Sequence, residues 1–228
     1  VACVSDVGRL ALVTYRLIVG LVLITVATGT KKKNTLRNYM NNFNYTQQLI
    51  EFIKNSPTSY HAVDNMKKFL HSAGFESLDE NEPWCLKSSN GYYVTRNDSS
   101  IIAFIVGAKE SIETGIRLIG THTDSPCLKI KPNPEIHKKT YFQLGVEVYG
   151  GVLLNTWFDR DLSIAGKVTY KNKDNKLTVA LIDIKKPIAV IPSLAIHLNR
   201  DANKGYIVNP ETEMRPILTE CHKNNEDF

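Results

Sequence analysis

The sequence predicts an α/β protein, and three observations predict it. Two stretches between Tyr45 and Gly74 carry apolar residues at helical spacing. Three stretches between Gly91 and Ile119 carry the Tyr, Val and Ile residues that favour strands. A polar pair, His122 and Asp124, stands just past the last of these strands. Helices followed by strands, with site residues at a strand end, is how α/β domains place their chemistry.

The elements follow in chain order. Leu49, Ile50, Phe52 and Ile53 predict a first helix, with Thr46 as its N-cap. Asn55-Ser56-Pro57-Thr58 breaks it, and Ala62, Val63, Met66, Phe69 and Leu70 form the apolar stripe of a second helix that Gly74 ends as a C′ glycine. Strands are expected at Gly91–Thr95, Ile101–Val106 and Ile116–Ile119, separated by the turn residues Asn97-Asp98 and Gly107. From Thr123 onward the alternation of Val146, Val148, Val168, Tyr170, Val179 and Leu181 with polar residues, punctuated by glycines, predicts a separate and mostly β domain. The expected organisation is therefore a leader at 1–44, a first domain at 45–122 and a second at 123–228.

The leader differs in kind from the rest. Leu10 to Thr28 reads LALVTYRLIVGLVLITVAT and is followed by Lys31-Lys32-Lys33. A membrane helix needs roughly 20 apolar residues, so residues 10–28 only just qualify. Arg16 near the middle is costly there, and the Val and Ile content favours a strand as much as a helix. The reading preferred is a leader that the folded domains do not use; a membrane anchor is the lesser alternative.

Composition narrows the function classes. The chain has 228 residues, 43% of them hydrophobic, which suffices for a sizeable core. The net charge is +5, but the lysines are spread along the chain and no basic stripe is interleaved with aromatics, so nucleic acid is not an expected partner. Cys3, Cys85, Cys127 and Cys221 are far apart with no CxxC pair. That excludes a disulfide framework or zinc knuckle and points to a reducing, cytoplasmic setting.

Side chains two apart in an extended segment fall on the same side, so His122 and Asp124 in GTHTDSP converge on one point, and Pro126 stiffens the turn. A neutral imidazole is a common zinc ligand, and a neighbouring carboxylate orients its ring. Taken alone, HxD is more often a hydrogen-bonded structural pair. The Asp159-Arg160-Asp161 cluster in WFDRDL resembles a catalytic group but reads as a structural strand end, with Trp157 and Phe158 in the core. Cys127 reads as a small buried residue, His61 and His71 as surface or capping residues, and Gly150-Gly151 as a turn, since no phosphate-loop pattern follows.

Context decides the reading of the histidine. THTDSPCLKIKPNP, VEVYGGVLLNTWFDRDLSIAGKVTY, IPSLAIHLNRD and NPETEMRPIL occur in this order, after SPTSYHAVDNMKKFLHSAGFESLDENEPW. Together, over about Tyr45 to Leu218, they resemble the M18 family of zinc aminopeptidases, which includes the aspartyl aminopeptidases. The resemblance implies the front part of a zinc-exopeptidase α/β catalytic domain followed by an inserted, mostly β dimerisation domain. It makes His122 a zinc ligand and Asp124 the carboxylate that orients it. It makes His197 a residue that reaches the active site of a neighbouring subunit to help bind substrate and the tetrahedral intermediate. It places WFDRDL in the inserted domain, in a structural role.

The reaction so implied is release of N-terminal, preferentially acidic, residues from peptides by a homo-oligomer with two zinc ions per complete subunit. The family's further zinc ligands, its bridging aspartate and its general-base glutamate have no counterpart in this sequence. The chain is therefore expected to be an N-terminal fragment, inactive alone. The alternative is a non-catalytic assembly fragment, or a decayed gene product, that retains the dimerisation surface. A vacuolar or lysosomal location is the alternative to the cytoplasm.

Overall fold

A computed structural model describes residues 2–6, 22–26, 45–109 and 115–220. The chain divides into two compact units, one of residues 15–124 and one of residues 1–14 with 125–228. The division therefore falls after Asp124, two residues beyond the expected boundary.

The first unit begins with α1 (Tyr45–Lys54) and α2 (Ser59–Ser72). Thr46 lies inside α1, so it is not the N-cap; helix ends read from sequence shift by a residue or two. Thr58 caps α2, its Oγ1 accepting from His61 N–H. At the other end Gly74 adopts φ +81°, its N–H donates to His71 O, and Phe75 N–H donates to Leu70 O. This is the Schellman arrangement, which satisfies carbonyls left open at a helix end.

Ala62, Val63, Met66 and Leu70 of α2 pack with Phe75, Tyr93, Ile101 and Ala103 in one core cluster, and Phe52 of α1 joins its margin. Each aliphatic side chain buried as fully as Val63 or Leu70 contributes about 1.5–3 kcal/mol. Phe69, expected in the stripe, is exposed; one position before Leu70 it falls on the rim of the buried arc.

The sheet of this unit runs β3 (Glu76–Leu78), β4 (Gly91–Arg96), β5 (Ser100–Ile105), β2 (Val22–Val26) and β6 (Ile116–Arg117), in that spatial order. β3 is parallel to β4, β4 antiparallel to β5, β5 parallel to β2, and β2 antiparallel to β6. Asn97 and Asp98 both have positive φ, and Ser99 N–H donates to Arg96 O, so the predicted turn is of the primed type that suits a hairpin. The strand expected at Ile116–Ile119 shrinks to two residues. Among the described residues it is an edge strand paired only through Ile116 with Val26 and Arg117 with Thr25, and Leu118 and Ile119 are exposed beyond it.

The second unit holds a six-stranded sheet in the order β10 (Leu177–Asp183), β9 (Leu162–Lys171), β1 (Ala2–Asp6), β7 (Cys127–Lys138), β8 (Tyr141–Tyr149) and β11 (Ile217–Glu220), all antiparallel. A short helix, α3 (Pro210–Glu213), precedes β11. Leu128, Leu144, Val146, Leu162, Ala189, Ile191 and Met214 form its core, with Trp157 and Phe158 packed against it. The expected mostly β character of this part is what the strands show.

Two pieces of the leader, Ala2–Asp6 and Val22–Val26, are strands within these sheets, in contrast to the expectation that the folded units leave the leader aside. Their Val, Ile and small residues suit extended backbone. Most of the stretch weighed as a membrane anchor lies outside the described residues. Among the described residues no helix is long and apolar enough to cross a membrane.

Candidate active site

His122 and Asp124 occupy the loop that leaves the edge strand β6. The intervening residue, Thr123, ties this loop down: its hydroxyl donates to Ser99 O at 2.7 Å, in the turn between β4 and β5. The loop is thus fixed to a hairpin of its own unit while His122 and Asp124 remain accessible, with side-chain exposures of 55% and 42%.

His122 Nδ1 lies 2.7 Å from the carbonyl oxygen of Asp124 and 3.1 Å from Asp124 Oδ1. A carbonyl oxygen can only accept, so Nδ1 carries the proton. In the neutral ring the lone pair then sits on Nε2, the atom that can bind a metal ion. The two residues converge as their spacing predicts. Sequence reading missed Thr123 as the anchor; the only signal was a hydroxyl between two site residues.

His197 belongs to the second unit. It is exposed, on the segment between Ile191 and α3, in a turn closed by Leu198 N–H and Asn199 N–H donating to Ala195 O. Its neighbours Leu194, Ile196 and Leu198 are also exposed.

The start of that segment is held by Asp159. Its Oδ1 accepts from Ser193 N–H at 2.9 Å and its Oδ2 from the Ser193 hydroxyl at 2.5 Å. These hydrogen bonds, the hydroxyl's first, hold the Asp159 carboxyl below the usual carboxylate range. WFDRDL therefore does structural work, Trp157 and Phe158 in the core and Asp159 pinning a loop. The other end is held by α3, where Asn209 Oδ1 accepts from Glu211 N–H, Glu213 Oε2 accepts from Asn209 N–H, and the Tyr206 hydroxyl donates to Glu213.

The remaining candidates resolve as structural. His61 pairs through Nδ1 with the Thr58 hydroxyl at the start of α2, and Cys127 is buried at the start of β7. Gly150 turns the chain with φ +76°, against Pro126.

The profile of the aminopeptidase I zinc metalloproteases (M18) matches residues 52–227. The chain belongs to the M18 family. It is 55% identical over 183 residues to the probable M18 family aminopeptidase 2 of Stutzerimonas stutzeri, covering 80% of this chain and 42% of that relative. The fold matches the structure of Chaetomium thermophilum mApe1 with a TM-score of 0.68 at 36% identity, over 79% of this chain and 41% of that one. It also matches the S. cerevisiae mApe1 dodecamer with a TM-score of 0.60 at 29% identity, over 82% of this chain and 49% of that one. This M18 chain thus spans about two fifths of the curated relatives it matches.

Zinc, the metal of this family, sets a test for the residues present. His122, with its ring oriented by Asp124, fits one corner of a zinc site. Zinc sites take three or four protein ligands, and among the described residues no group of three or more His, Cys, Asp or Glu side chains stands together. These residues do not close a zinc site by themselves.

Proposed function

We propose that this chain supplies part of a zinc-dependent aminopeptidase that removes N-terminal, preferentially acidic, residues from peptides. The observation that carries the reading is the His122–Asp124 pair, with Nδ1 committed to Asp124 and Nε2 left for a metal, in a chain of the M18 family. In this reading His122 is a zinc ligand and Asp124 its positioning residue. His197 serves the site of a neighbouring copy in a homo-oligomer, and two zinc ions bind each complete subunit, which works in the cytoplasm.

A second reading rests on a different observation. Because the described residues bring no three metal-binding side chains together, the chain on its own is an assembly piece without peptidase activity.

A chimaera tests the first reading. Residues 45–218 replace the matching segment of the Stutzerimonas stutzeri relative, and hydrolysis of aspartyl, glutamyl and leucyl anilides is followed. Zinc-dependent activity favouring the acidic substrates, lost in His122→Ala, is the expected result. A chimaera that folds, binds zinc and keeps its activity in His122→Ala overturns it. The second reading is tested on this chain alone: zinc-dependent turnover of any of the three substrates sinks it.

A further inference from the structure

β1 pairs on both sides. Ala2 to Asp6 run antiparallel to β9 with Ala2 opposite Gly166, Cys3 opposite Ala165, Val4 opposite Ile164, Ser5 opposite Ser163 and Asp6 opposite Leu162. On the other side Cys3 stands opposite Lys129 and Val4 opposite Leu128 of β7. The β9 residues facing this strand point alternately to the two faces of the sheet, yet Leu162, Ser163, Ala165 and Gly166 are all buried, as is Leu128. The position is an interior one on both faces, and both flanking strands present their backbone groups to it. An interior sheet edge left open leaves buried backbone donors and acceptors without partners, so this place in the sheet demands an occupant.

The occupant comes from far away in sequence. Residues 2–6 are more than 120 positions from Leu128 and Lys129, and residues 15–124 form the other unit. The strand is held by ladder pairing and is not delivered by a tight hairpin, as β8 is delivered to β7. The site also has a shape preference. Three of the five β9 residues opposite the strand, Gly166, Ala165 and Ser163, present little side-chain bulk, and four of the five resident residues, Ala2, Cys3, Val4 and Ser5, are small or β-branched. Ser163 Oγ is buried with no hydrogen-bond partner among the described residues, at the register position opposite Ser5.

We propose that the cleft between β7 and β9 is an exchangeable strand site, whose resident occupant is Ala2–Asp6 and whose ligand class is a short extended peptide of small and β-branched residues. Recognition is by strand addition, with backbone hydrogen bonds giving the affinity and the small β9 residues the selectivity. The proposal does not depend on the peptidase reading, since neither His122 nor His197 takes part.

The test uses the chain lacking residues 1–8 and a fluorescent synthetic peptide of that sequence. The deleted chain should bind the peptide at least about tenfold more tightly than the intact chain, whose site is filled, and a Val4→Pro peptide should lose about tenfold or more because proline cannot complete the ladder. If the deleted chain does not fold unaided, refolding with the peptide should restore its β signal, and refolding with the Val4→Pro peptide should not. Hydrogen exchange gives a second measurement on the complete chain: Val4→Pro should raise exchange at 162–166 and 128–129 while 177–183 stays protected. Equal binding to intact and deleted chains, a deleted chain that folds and binds nothing, refolding indifferent to the peptide, or unchanged exchange at 162–166 each overturns the proposal.

Discussion

His122 Nδ1 donates to Asp124 twice over, to the backbone carbonyl at 2.7 Å and toward the carboxylate at 3.1 Å. The two acceptors make separable contributions. The carbonyl fixes the tautomer by itself, while the carboxylate places negative charge beside the ring and holds it in orientation. In the chimaera, Asp124→Asn should therefore keep the ring orientation and lower zinc affinity by about tenfold, the small end of the 10–100-fold range for such partners. His122→Ala should remove the proposed ligand entirely. Zinc titration against a competing chelator separates the two. Equal losses in both variants would mean that the carboxylate does more than tune the imidazole.

Gly91 and Phe75 give a prediction about stability. A Cβ at position 91 would stand 2.8 Å from the Phe75 ring, which is buried in the core of the first unit. The ring is rigid and enclosed, so it cannot swing aside as an exposed lysine would. Gly91→Ala should destabilise this unit by about 1–3 kcal/mol, the usual cost of overpacking. Adding Phe75→Leu should recover part of the loss. Urea unfolding checks both, and additive penalties in the double variant would show that the ring is not the obstacle.

Asp159 and Ser193 predict a pH dependence. The folded carboxyl titrates below its unfolded value because Ser193 donates to its charged form. The stabilisation is therefore fully present above the ordinary carboxylate range and is lost as pH falls through the lowered folded value. At neutral pH Asp159→Asn should loosen the segment that follows Ser193 and raise hydrogen exchange at 193–199. In the parent chain the same loosening should be seen only under acid conditions. A variant whose exchange at neutral pH matches the parent would show that backbone contacts alone hold this segment.

Much of this was legible in the sequence, for reasons that differ from element to element. α2 could be read because its stripe, the break at Asn55-Ser56-Pro57-Thr58 before it and Gly74 after it are local signals that agree. The hairpin at Asn97-Asp98 was legible because positive φ at two successive residues favours those residue types. The HxD pair was legible by spacing, although only the ordered series of motifs gave it meaning. Thr123 and Ser99 were not legible as partners, since their contact spans 24 positions. Nor was the place of Ala2–Asp6 in the second sheet, because ladder pairing across 120 residues leaves no local pattern. Phe69 was misplaced because a helical stripe has a rim, and periodicity alone does not say on which side of the rim a residue falls.

The last prediction concerns His197, whose role as a residue serving a neighbouring copy rests on family resemblance. It is exposed on a segment held at both ends, by Asp159 before it and by α3 after it. A histidine so presented can donate to the oxyanion that develops in another copy's site, and loss of one such donor costs about 3 kcal/mol. In the chimaera, His197→Ala should lower turnover by about two to three orders of magnitude while zinc content and oligomeric state are kept. Mixed with His122→Ala, it should recover part of the activity, because one composite site in a mixed pair then carries both histidines intact. Mixed oligomers must first be demonstrated, for instance by co-purification on two different tags. If they form and stay as inactive as each parent, His197 acts within its own copy or only supports the loop. A pH–rate profile unchanged in shape between parent and His197→Ala would favour loop support.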